Sequence, residues 1–132
     1  MSYESQREDV EPDLTAAIIG AAIEVHRALG PGLLESAYES FLAHELALRG
    51  VSFERQCPIP VAYKGTHVDC GYRIDLLVER RVVVELKAVT QLTPQHDAQL
   101  LTYLRLSRRR VGLILNFWVP RMKEGIRRFV DG

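Results

Sequence analysis

Cysteine is scarce, and the two present, Cys57 and Cys70, lack the close spacing of a zinc site or a disulfide framework. Both fall in segments that read as strands, and reduced thiols in the cytoplasm are the expectation. Net charge is missing as well: 17 basic residues are matched by 17 acidic ones, so the molecule as a whole does not attract polyanions. There is no long apolar run. The first residues contain no apolar signal segment, and the most apolar helix-like stretch, Ala16 to Val25, is interrupted by Glu24 and is too short to span a bilayer. No membrane association is expected. Internal repeats, low-complexity tracts and linkers are also lacking, and 132 residues cannot bury two independent cores, which leaves one domain.

The balanced charge is unevenly spread. Residues 1–13 read as an acidic arm carrying Glu4, Glu8, Asp9, Glu11 and Asp13, ahead of a single domain over 14–132. The C-terminal third carries Arg105, Arg108, Arg109, Arg110, Arg121, Lys123, Arg127 and Arg128. A solvated face and a local polyanion-binding surface both fit such a run.

Leu14, Ile18, Ala22, Val25 and Leu29 recur at helical spacing, and Gly30-Pro31-Gly32 ends that helix. A second helix carries Leu34, Tyr38, Phe41, Leu42, Glu45 and Leu46 up to Gly50, placed as a left-handed C-cap, so the two form a hairpin. β-rich texture follows over Val51 to Glu54, Pro60 to Tyr63, His67 to Val78 and Val82 to Lys87, with turns at Lys64-Gly65 and Glu79-Arg80. Thr93-Pro94 then opens a helix reaching about Ser107, and Val111 to Phe117 is a buried strand. For Gly125 to Val130, periodicity leaves an edge strand and a terminal turn both open. The order implies an α/β fold, a mixed sheet flanked by helices.

Asp75 is the lone acid of an apolar strand, where an unpaired carboxylate is costly to bury. On the next strand, period-2 alternation puts Glu85 and Lys87 on one face and Val82, Val84 and Leu86 on the other. The Glu79-Arg80 turn brings Asp75 towards Glu85. Two carboxylates and an ammonium there suit Mg²⁺ or Mn²⁺, which prefer oxygen ligands. A buried ion pair in which Lys87 neutralises both acids fits the same residues. Gln99 and Tyr103 lie four apart on one face of the following helix with His96 a turn earlier, which suits either a site facing the strands or ordinary amphipathicity.

Taken together, Asp75, Glu85-Leu86-Lys87 and Gln99-Leu100-Leu101-Thr102-Tyr103 resemble the D…ExK…QxxxY signature of PD-(D/E)XK nucleases. Gly32-Leu33-Leu34-Glu35-Ser36-Ala37-Tyr38 spells GxxExxY, and Leu14 to Val130 resembles the small GxxExxY family of that superfamily, with further matches at Val25 to Gly32 and Leu113 to Phe117. Ile74 stands where the family's proline precedes the aspartate. The resemblance implies a restriction-endonuclease-like core behind an N-terminal helical hairpin. It also implies a metal site of Glu35, Asp75, Glu85 and the Leu86 carbonyl, although Glu35 equally fits a first-turn acid favoured by the helix dipole. Lys87 would position or deprotonate a water, while Gln99 and Tyr103 would orient Lys87 or contact phosphate. The arginines from Arg105 to Arg110 would extend the positive surface along the bound strand. Tyr38 and His26 read as structural. The expected activity is Mg²⁺- or Mn²⁺-dependent phosphodiester hydrolysis, with nucleic acid as partner, DNA ahead of RNA, and with room on size grounds for a homodimer. The alternative is a catalytically silent nucleic-acid-binding or protein-interaction module on the same fold.

Overall fold

The computed structural model describes residues 11–131. Of the acidic arm, Glu4, Glu8 and Asp9 lie outside the described residues. Helix α1 spans Pro12–Leu29, starting earlier than its apolar face because Pro12 is pre-set for a first helical position and Asp13 suits the positive end of the helix. Ile18, Ala21, Ala22 and Val25 are its buried stripe, whereas Leu29, its last residue, is 39% exposed. Helix α2 spans Glu35–Leu48. It ends as expected: Gly50 takes φ +73, and the Gly50 and Val51 amides donate to the Ala47 and Leu46 carbonyls, a Schellman closure that only glycine adopts without strain.

The strands are β1 (Phe53–Pro58), β2 (Val61–Tyr63), β3 (Thr66–Val68), β4 (Arg73–Val78), β5 (Val82–Lys87), β6 (Val111–Asn116) and β7 (Ile126–Val130), with helix α3 (Pro94–Ser107) between β5 and β6. The main sheet runs β1-β4-β5-β6-β7, and β2 and β3 form a separate hairpin. Among the described strands only β5 and β6 are parallel, joined by α3 as the crossover such a pair requires. Pairing with β6 resolves the last element as an edge strand. Both expected turns form: Lys64 and Gly65 take the positive φ that a two-residue hairpin turn requires, and Glu79 and Arg80 take positive φ in the three-residue loop that closes the pair Val78↔Val82.

Two expectations need correction. The stretch from His67 to Val78 is not one strand, because the Gly71 amide donates to the Asp69 carboxylate (2.9 Å) and the chain turns there, a local side-chain bond that hydrophobic pattern does not reveal. Cys70 therefore sits exposed in a loop, and Cys57 alone lies on a strand.

Apolar side chains divide between the sheet's two faces. Leu76, Val78, Val82, Val84, Leu86, Leu113 and Leu115 pack under α1 and α2, while Leu77, Val83 and Ile114 pack under Leu100, Tyr103 and Leu104 of α3. At Gly112, a Cβ would meet Leu100 and Leu104 methyl carbons at 3.0 and 3.1 Å, so the missing side chain lets α3 seat closely on β6. No helix among the described residues is long and apolar enough to cross a membrane.

Candidate active site

Lys87 leaves β5 where the sheet opens. The β4–β5 ladder ends at Leu76↔Val84, one pair short of Asp75 and Glu85. There the side chains take over the ladder's hydrogen bonds: the Asp75 amide donates to Glu85 Oε1 (3.2 Å), and the Leu86 amide donates to Asp75 Oδ2 (2.9 Å). Strand alternation breaks at the same residue. Leu76 faces the α1–α2 core, yet Ile74 packs with the α3 core and is almost fully buried, which absorbs the departure from proline without cost to the site. Abreast of Asp75 on β1, between the pairs Arg55↔Leu76 and Cys57↔Ile74, Gln56 takes the left-handed φ of 51°.

Glu85 is 4% exposed, and burial followed by the neighbouring Asp75 carboxylate pushes its pKa up to about 9. Lys87 and the Asp75 amide oppose that shift without cancelling it. Glu35, the first residue of α2, is exposed as a whole, but its carboxyl is also raised, by desolvation first and then by Asp75, with Lys87 acting the other way. Asp75 and Glu85 thus meet at one end of β5, with Glu35 within electrostatic reach of Asp75 and Lys87.

Lys87 Nζ donates to Gln99 Oε1 (3.1 Å), and Gln99 Nε2 donates to the Tyr103 hydroxyl (3.3 Å). The chain links β5 to α3 and brings together all three residues that the sequence singles out there. Burial raises the Tyr103 pKa, and Glu85 and Asp75 add to the rise. His96 is not part of this arrangement: its Nδ1 accepts from the Thr93 amide (3.0 Å) and closes a capping box at the start of α3.

The remaining motif residues hold the scaffold. Tyr38 donates to the Gly30 carbonyl (2.6 Å), accepts from the Leu33 amide (3.1 Å) and stacks on Phe117 at 4.5 Å between ring centroids. Trp118 Nε1 donates to the Leu33 carbonyl (2.7 Å). GxxExxY therefore has a physical reading: its tyrosine pins the turn from which α2 starts, with Glu35 as the first residue of that helix. His26 Nε2 lies 2.8 Å from the Val119 carbonyl, a structural position as expected.

Sequence reasoning missed Glu39, Gln56 and Asn116. Glu39 is buried, accepts from Arg55 Nε (3.1 Å) and from Gln56 Nε2, and Gln56 Nε2 also reaches Asp75 Oδ1 at 3.3 Å. Its signal was Glu35 and Glu39 four apart on one helix face, a like-charge pair that is unfavourable without partners. Asn116, the parallel partner of Lys87, bonds both the amide and the carbonyl of Val89 and so ties down the chain leaving β5. A lone amide in the run Leu113-Ile114-Leu115-Asn116-Phe117 was the sign of it.

Arg108 to Arg110 do not flank this site. Arg80, Arg81, Arg108, Arg109 and Arg110 line a groove with Glu11. They precede Val82 and Val111, the first pair of the β5–β6 ladder, whereas Lys87 and Asn116 are the last pair. The expectation that Arg105 to Arg110 extend the site's positive surface is thereby corrected for Arg108 to Arg110: parallel strands carry both runs to the opposite end of the sheet. Arg127 is engaged elsewhere, with Asp97 at 2.8 and 2.9 Å.

Among the described residues, no three His, Cys, Asp or Glu side chains stand close enough together to hold a metal ion. The donor chemistry nevertheless fits a hard cation. Glu85 spends one oxygen on a backbone amide and keeps the other, Asp75 spends one on the Leu86 amide and shares its second with Gln56 at 3.3 Å, and burial beside Asp75 disfavours the charged form of Glu85, which a bound cation would offset. Among curated proteins and among solved structures, none matches the chain. A family model described as the PD-(D/E)XK nuclease superfamily matches residues 12–129.

Proposed function

The chain belongs to the PD-(D/E)XK nuclease superfamily, and on that premise we propose that it hydrolyses phosphodiester bonds of nucleic acid, DNA ahead of RNA, at the Asp75–Glu85–Lys87 site. The observation that carries this reading is the hydrogen-bonded chain Lys87–Gln99–Tyr103 set against two carboxylates at the open end of β4 and β5. A plain ion pair would need no relay from a second element. Gln99 holds the ammonium through one acceptor, leaving its other N–H groups to orient a water or a phosphate oxygen. The Tyr103 hydroxyl accepts from Gln99 Nε2 and so fixes the orientation of the Gln99 amide.

Asp75, Glu85 and the Leu86 carbonyl would hold Mg²⁺ or Mn²⁺, with Glu35 completing the set from α2. Such an ion, when bound, supplies an acidified water and neutralises charge on the phosphate. The narrower GxxExxY assignment rests on Gly32, Glu35 and Tyr38 acting as the turn-and-helix device that presents Glu35.

The arginine groove, remote from the acids, favours a second reading in which the chain grips nucleic acid without cutting it. Cleavage of labelled DNA and RNA with Mn²⁺ or Mg²⁺ separates the two. Wild type should cut, Glu85→Ala should not, and Lys87→Ala should lose about 10²- to 10⁴-fold, the usual worth of a positioned proton-transfer group. Unimpaired cleavage by Lys87→Ala would overturn the mechanism. No cleavage by any form, with salt-sensitive binding retained, would establish the second reading.

A further inference from the structure

A groove of about 520 Å³ opens beside the acidic site, between α3 and the loop entering β4, lined by Val61, Tyr72, Gln95, Gln99, Thr102 and Tyr103 among others. That volume lies within the roughly 300–1,000 Å³ of small-ligand clefts. Gln99 and Tyr103 belong both to the groove wall and to the chain that holds Lys87. Whatever fills the groove therefore abuts the proposed reaction centre.

Its chemistry is aromatic and amide rather than charged. Tyr72 is 45% exposed, with its ring tilted against Tyr103 at 6.0 Å between centroids. The half-exposed face of Tyr72 offers a stacking surface, and the Gln95 and Thr102 side chains offer donors and acceptors at the rim. Close by, the β2–β3 hairpin exposes Tyr63, at 69%, with Lys64 Nζ lying 5.3 Å from its ring centroid. Such a two-stranded ribbon, with every residue of β3 exposed, buries almost nothing of its own. Tyrosine faces interleaved with basic side chains are the chemistry that holds unpaired strands, because every base has a face to stack while phosphates take the cations.

We propose that this groove is a nucleobase subsite, taking an unstacked base against Tyr72 from the strand whose phosphodiester lies at Lys87, so that the substrate is single-stranded or frayed nucleic acid. A base within an intact duplex is stacked on both sides and has no face to offer. The inference rests on the nuclease reading for the identity of the strand, but the subsite stands or falls by binding alone.

The test is fluorescence anisotropy of short labelled single-stranded DNA and RNA and of blunt duplex DNA, with the full chain in EDTA, where metal-dependent cleavage is suppressed. Tyr72 is half-exposed outside both cores, so Tyr72→Ala leaves the packing intact, which circular dichroism checks. Tyr72→Ala should weaken single-strand binding roughly five- to hundredfold, the worth of one base–aromatic stack. Tyr72→Phe should bind as wild type, and duplex affinity should not change in either variant. Unchanged single-strand affinity in Tyr72→Ala, or an equal loss on duplex, overturns the subsite. A protein that binds single strands through Tyr72 but cuts nothing with Mn²⁺ keeps the subsite and overturns the nuclease reading. Cleavage that needs Glu85 but shows the same single-strand preference in wild type and Tyr72→Ala does the reverse.

Discussion

Glu85 is held almost out of water beside another carboxylate, with its pKa raised from an ordinary 4.5 to about 9. Between those values the folded protein keeps a proton that the unfolded chain has already lost. Stability contributed by this group is therefore present at low pH and lost as pH rises through the window. Glu35, shifted the same way, adds to the trend. In EDTA, the melting temperature should fall as pH is raised from about 5 to about 9, and Glu85→Gln, which cannot ionise, should flatten the profile. A bound cation needs the carboxylates ionised, so Mn²⁺ should raise the melting temperature most at the alkaline end and should have little effect on Glu85→Gln. A flat wild-type profile in EDTA would show that Glu85 is not held out of water beside Asp75.

Among the elements, α3 carries the most consequence, because it supplies Gln99 and Tyr103 while β5 supplies Lys87. Its distance from the sheet is set where Gly112 faces Leu100 and Leu104. Gly112→Ala should force those side chains or the helix outwards, costing about 1–3 kcal/mol by chemical denaturation, as overpacking in a filled core does. The displacement would also lengthen the Lys87–Gln99 contact. Activity of Gly112→Ala should then fall well below wild type at temperatures where the variant is still fully folded.

Across the whole molecule, the acidic site and the arginine groove stand at opposite ends of β5. Its six residues, at about 3.3 Å each, separate them by on the order of 17 Å. That exceeds the Debye length of about 10 Å at 0.1 M salt, so the arginines should not tune the reaction centre electrostatically. In the double variant Arg108→Ala/Arg110→Ala, kcat/KM on a short single-stranded oligonucleotide should stay within about twofold of wild type at that ionic strength. A tenfold loss on the short substrate would place those arginines in the reaction path.

Helices, turns and the parallel crossover were legible because each rests on local signals: the Thr93-Pro94 start, the Gly50 stop, and the turn pairs at Lys64-Gly65 and Glu79-Arg80. The acids and the lysine were legible because polar residues in apolar strands stand out against what burial permits. What the chain order could not show depends on residues distant in sequence meeting across the sheet. The β4–β5 ladder stops short of Asp75, Gln56 twists abreast of it, and Glu39 and Asn116 brace the site from α2 and β6. The arginines illustrate the same division. Their clustering is a property of the sequence, but parallel pairing of β5 with β6 decides which end of the molecule they occupy, and that is away from Lys87. Local chemistry thus determined which residues are unusual, and only the tertiary structure decided which of them share a site, because burial and charge act across space rather than along the chain.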